Sequence, residues 1–124
     1  MFADAEGQLH TTPQRRYLAI VDGIMSGDQN GPMEHRPRND GILIGGFNPV
    51  AVDYTAARVM QLNWQVIPQI TRAIQNKFYP LFDHEINEVR INSAFSLDEV
   101  PLAAFVVPKG WAVLEIPSIE DDAA

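Results

Sequence analysis

Two stretches decide the fold: Tyr17-Leu-Ala-Ile-Val-Asp-Gly-Ile24 and Gly41-Ile-Leu-Ile-Gly-Gly-Phe-Asn-Pro-Val-Ala-Val-Asp53. Tyr17 to Val21 is a short continuous apolar run, the pattern of a buried strand. Gly41 to Gly46 repeats that pattern and is stopped by its own glycines. Asn48 then supplies a helix N-cap, and Pro49 suits the first helical position, where a missing N–H costs nothing. The helix is expected from Pro49 to about Met60. Val50, Tyr54, Ala57 and Met60 form one apolar stripe, and Val52, Ala56 and Val59 a second. A helix apolar on so much of its girth suits packing against a sheet.

Outward from this nucleus the signals weaken. Gly23 to Asp40 holds three glycines and two prolines among polar residues, so it reads as a long irregular loop after the first strand. Loops longer than about 12–15 residues are usually functional or disordered. Pro68 opens a second helix with Ile70, Ile74 and Phe78 on one face, which must stop before Pro80. Glu85–Asn92 and Leu102–Val107 are candidate strands, with Trp111–Ile116 a weaker one. Trp64 and Trp111 read as packing residues at element ends. The expected fold is therefore α/β: a small mixed sheet packed by two or more helices. Residues 1–14 are expected as a flexible lead-in, 15–116 as a single domain and 117–124 as an acidic disordered tail.

Composition narrows the chemistry. The chain has 124 residues, 46% of them hydrophobic, and a formal net charge of −7. That balance argues against a nucleic-acid partner, which needs clustered Lys and Arg. Arg15 and Arg16, and Arg36 and Arg38, form only two small basic pairs, read as solvated. There is no cysteine, so thiolate metal sites, cysteine nucleophiles and cysteine-ligated iron–sulfur clusters are excluded within this chain. His10, His35 and His84 show no ligand spacing. The N-terminus lacks the pattern of a signal peptide, and no apolar run approaches the ~20 residues that span a bilayer. A cytoplasmic protein without membrane contact is the expectation.

The candidate site lies on the loops. Asp22 directly follows the first strand, at the carboxyl end where α/β sheets gather ligands; it can hold a cation or equally lock the turn. Gly27-Asp28-Gln29-Asn30-Gly31 offers oxygens to a hard cation and glycines that permit close approach, or it is a turn-rich segment. Asp53 in the Pro49 helix either faces the same crevice or is favoured there by the helix dipole. The ligand-binding candidates are thus Asp22, Gly23, Gly27, Asp28, Asn30, Gly31, Asn48 and Asp53. Asp22, Asp28 and Asp53 are the candidate ligands of a divalent cation. No catalytic residue can be named.

The ordered series of these motifs, with Ala56–Met60, Ile67-Pro68 and Pro108-Lys-Gly-Trp111, resembles the domain-of-unknown-function family 362, a prokaryotic family, over about residues 15–116. The resemblance is to the C-terminal portion of longer members, and it implies a short member or a piece of a split protein. Many longer members carry ferredoxin-like cysteine motifs, and their redox or iron–sulfur roles rest on those. The family commonly places an acid where Asp28 stands. Two functions follow as expectations. One is a ligand- or metal-binding domain of a redox-linked enzyme. The other is a non-catalytic interaction or oligomerisation domain that docks on a second chain or on itself.

Overall fold

The computed structural model describes residues 1–99 and 104–114. Its elements are α/β, as the two apolar runs and two prolines predict. Strand β1 (Ala19–Gly23) pairs with β4 (Ile42–Gly46), and β2 (Ser26–Asn30) pairs with β3 (Glu34–Arg38). Both pairs are antiparallel, so among the described residues the sheets are two hairpin-like ladders and contain no parallel neighbour. Helix α1 covers Pro49–Val59 and α2 covers Pro68–Gln75.

The interval read as an irregular loop is the β2–β3 hairpin, turning through Gly31, Pro32 and Met33. Its alternation is polar, Ser-x-Asp-x-Asn against Glu-x-Arg-x-Arg, so hydrophobic periodicity gave no sign of it. Ser26, Asp28 and Asn30 share the inner face of β2, and the register sets Asp28 opposite Arg36.

Helix α1 begins where Asn48 predicts. Its Oδ1 accepts from the backbone N–H groups of Val50 and Ala51 at 3.0 and 3.1 Å, and its Nδ2 donates to the Leu81 carbonyl. The helix ends in a Schellman arrangement: the Leu62 N–H reaches the Ala57 carbonyl and the Gln61 N–H that of Arg58, with Gln61 at φ +58°. Both expected stripes are used. Val50 and Ala57 form the core with Ile70 and Phe82, while Val52 turns toward the sheet. The added Cβ of an alanine at Gly46 would lie 2.9 Å from Val52 Cγ2, so that glycine is what lets helix and strand meet.

Helix α2 stops at Asn76, one turn before the expected end. The Asn76 Oδ1 accepts from the N–H groups of Phe78 and Tyr79, and that turn competes with another helical one. Phe78 is consequently outside the helix and exposed. Residues 85–92 form a 3₁₀ turn (Ile86–Glu88) and irregular chain, not a strand. Residues 104–107 of the Leu102–Val107 candidate form no strand either, and 100–103 lie outside the described residues, as do 115–124 with the expected tail. The lead-in is structured: Phe2 is buried, its ring 5.6 Å from that of Tyr79, and Ala3 bridges Leu9. Trp64 packs edge-on against Tyr54, whereas Trp111 is exposed.

Candidate functional site

Three surfaces carry the residues that the sequence singles out. The first is the inner face of the β2–β3 hairpin. The side chain of Asp28 is only 1% exposed there. Arg36 donates to it through Nε and Nη2 at 2.9 and 2.6 Å, Arg38 Nη1 at 3.2 Å and the Val106 N–H at 3.1 Å. Four donors occupy a carboxylate with about four lone-pair sites. The Arg36 hydrogen bonds, ahead of the Val106 N–H, hold its pKa down to about 2 against the opposing effect of burial. So acidic a carboxylate is a poor proton acceptor at neutral pH.

The network extends beyond Asp28. Arg38 makes a forked contact with Asp40, whose other partner is the Ser26 hydroxyl, and it stacks 4.0 Å over the Phe105 ring. Arg38 first, and then Ser26, lowers the Asp40 pKa. Segment 104–109 is docked by the same groups: the Gln29 N–H donates to the Val106 carbonyl and the Lys109 N–H to Asn30 Oδ1. Asp28 and Asn30 are therefore the anchors of a distant piece of chain. Gly27 is the close-packed member of the loop, since an added Cβ would fall 2.7 Å from His35 Cδ2.

The second surface is the β1–β4 ladder. Helix α1 covers its Ala19, Val21, Ile44 and Gly46 side, and Ile20, Asp22, Leu43 and Gly45 point to the other, which is open. Ile20 and Leu43 are 61% and 66% exposed, and Leu18 and Phe47, just beyond the ladder's end, are exposed as well. Asp22 sits on this open side and accepts from the Ile24 N–H at 3.1 Å, locking the turn. A cleft of about 650 Å³ runs beside β4. Its walls are β4, one side of α1 (Ala51, Val52, Thr55) and residues 89–95.

The third surface is a cleft of about 600 Å³ between α1, α2 and the turn around Trp111, lined by Met60, Leu62, Ile67 and Asp53. Asp53 is exposed overall, and the partial burial of its carboxyl raises its pKa. Asp22 and Asp53 thus lie on opposite sides of the β1–β4 layer, and Asp28 is in the hairpin. The structure does not bring the three carboxylates together. Among the described residues no group of three or more His, Cys, Asp or Glu side chains could hold a metal ion.

Residues 2–58 match the model of a family described as Domain of unknown function (DUF362). The match takes in the N-terminal turn, all four strands and nearly all of α1, and it ends before the Ile67-Pro68 and Pro108–Trp111 motifs. Over 60 residues the chain is 38% identical to the Thylakoid-associated protein sll1697 of Synechocystis sp. (strain ATCC 27184 / PCC 6803 / Kazusa). That stretch is 48% of this chain but 18% of the relative, so the chain spans less than a fifth of the relative's length. No solved structure matches the chain. Among the described residues no helix is long and apolar enough to cross a membrane.

Arg36 and Arg38, expected as solvated charges, are instead the ionic partners of Asp28. Arg38 is 9% exposed and Arg36 lies half-exposed across Asp28. Their i, i+2 spacing was the available signal, because it puts both on one strand face. It becomes legible only once Glu34–Arg38 is read as a strand.

Proposed function

We propose that this chain is a DUF362-like, non-catalytic interaction domain whose open sheet face is covered by another polypeptide. The observation that carries this reading is the composition of that face. An antiparallel sheet with one solvated face usually alternates apolar and polar residues, the polar ones outward. Here Ile20 and Leu43 point outward, with Leu18 and Phe47 beside them. Large apolar side chains exposed together on one sheet face mark a contact surface. The relative's greater length supports the same reading, because the matching segment there is accompanied by more than four-fifths of another chain's residues.

The Asp and Gly positions fit the reading as supports. Asp28 and Asn30 hold segment 104–109, Asn48 caps α1 and Asp22 locks a turn. Each has a structural partner that accounts for its presence.

Alone in solution, the open face has only other copies to bury against. Sedimentation equilibrium of the full chain should therefore detect concentration-dependent self-association. The double substitution Ile20→Lys and Leu43→Lys should return it to monomer, with an unchanged far-UV spectrum. A wild-type chain that remains monomeric at concentrations of several hundred micromolar would count against the proposal.

A further inference from the structure

We infer that the cleft beside β4 is a strand-addition site: an extended segment of another polypeptide enters it and pairs with the outer edge of β4. The inference rests on the interaction-domain reading and specifies how the partner is gripped. The first observation is which residues line the cleft. All five β4 residues, Ile42, Leu43, Ile44, Gly45 and Gly46, do so. The lining also takes in both sides of the ladder, Leu43 from the open face and Val52 and Thr55 of the helix that covers the other, so the cleft wraps the edge of β4.

Among the described residues β4 has β1 as its neighbour on one side and no strand on the other. No backbone hydrogen bond joins β4 to residues 89–95 across the cleft. An open strand edge is a row of N–H and C=O groups, and the ligand that satisfies such a row is another backbone in extended form.

The contrast with the hairpin sharpens the point. Strand β3 reads Glu-His-Arg-Pro-Arg, with charges and Pro37, the features that keep an edge from pairing. Strand β4 reads Ile-Leu-Ile-Gly-Gly and carries neither charge nor proline. One edge is guarded and the other is not.

The walls select the occupant. Helix α1 stands on one side of the cleft and residues 89–95 on the other, and between them the backbone edge of β4 is the polar element an extended chain can pair with. Five residues of β4 correspond to roughly 17 Å of strand at about 3.4 Å per residue. Ala51, Val52, Ile91 and Phe95 among the lining residues favour apolar side chains on the incoming strand.

The test uses the full chain, labelled with ¹⁵N, and a capped peptide of about eight residues alternating valine and threonine, a length that spans one strand. Amide exchange is followed residue by residue as the peptide is added to about millimolar concentration. Binding should slow exchange of β4 amides by about tenfold or more, the mark of newly paired backbone groups. The same peptide N-methylated at alternate residues, and so lacking donors on one edge, should bind at least about tenfold more weakly. Absence of binding at millimolar peptide overturns the inference. So does equal binding of the N-methylated peptide, which would mean side-chain burial alone. Protection at Ile20 and Asp22 with none at β4 overturns it too. Any of these results leaves self-association through Ile20 and Leu43 intact, whereas loss of that self-association leaves the β4 titration to be read separately.

Discussion

Asp28 gathers four donors on one buried carboxylate. Its carboxylate joins two arginines of the neighbouring strand to a backbone N–H 78 residues away in sequence. Removing one partner of a buried ion pair costs about 3–5 kcal/mol, because the other charge stays behind unpaired. Arg36 is half exposed and can turn to water, so Asp28→Ala should lose about 3 kcal/mol, at the lower end of that range. Urea denaturation measures the loss, and the Val106 amide resonance should move toward a random-coil position. A variant with unchanged stability and an unmoved Val106 amide would show that the network carries no load. The sequence identified Asp28 as special but not for this reason. Its family resemblance pointed to the position, and the arginine partners depend on cross-strand register, which single-residue chemistry does not encode.

At the scale of elements, the fit between α1 and β4 depends on the missing side chain of Gly46. An alanine Cβ there would lie 2.9 Å from Val52 Cγ2, and Val52 is buried and stiff at χ1. Overpacking of this kind costs about 1–3 kcal/mol. Gly46→Ala should lower the thermal midpoint accordingly, and adding Val52→Ala should recover part of the loss in a double-mutant cycle. Additive losses in calorimetry would refute the contact. Elements with an apolar signature were legible in the sequence: β4 and α1 stand where Gly41–Gly46 and Pro49–Met60 put them, and β1 lies two residues beyond the Tyr17–Val21 run, taking in Asp22 and Gly23. The β2–β3 hairpin was not, since its inner face is Ser26, Asp28 and Asn30 and its register is fixed by charge. Helix α2 was placed correctly at Pro68 and overextended at its end, because Asn76 can accept from Phe78 and Tyr79 and so offers the chain a turn in place of another helical hydrogen bond.

For the whole molecule, two kinds of cohesion hold different parts. Val50, Ala57, Ile70 and Phe82 make an apolar core between the helices, while the hairpin and segment 104–109 are joined by ionised groups. Acid distinguishes them. Asp28 has a folded pKa of about 2, below its ordinary value, and that of Asp40 is lowered as well. A depressed carboxylate contributes stability that is complete above its unfolded pKa and is lost as pH falls through the folded one. Between about pH 4 and pH 2, then, the Val106 and Lys109 amides should lose protection from exchange before Ala57 and Ile70 do. Simultaneous loss at all four amides would contradict the division. The site as a whole was less legible than the fold: Asp22, Asp28 and Asp53 are near in sequence, but strand alternation and the layer between them send each to a different surface.

The tie between Asp28 and Val106 also implies an order of assembly. The hairpin closes over a turn of a few residues, and α1 and α2 meet across a short connection, so these contacts form with little chain entropy to overcome. The Asp28–Val106 and Asn30–Lys109 bonds close loops of 78 and 79 residues. Each needs its acceptor already fixed before it is worth making. During synthesis the hairpin carboxylate is therefore held by the arginines of β3 alone until residues 104–109 have emerged.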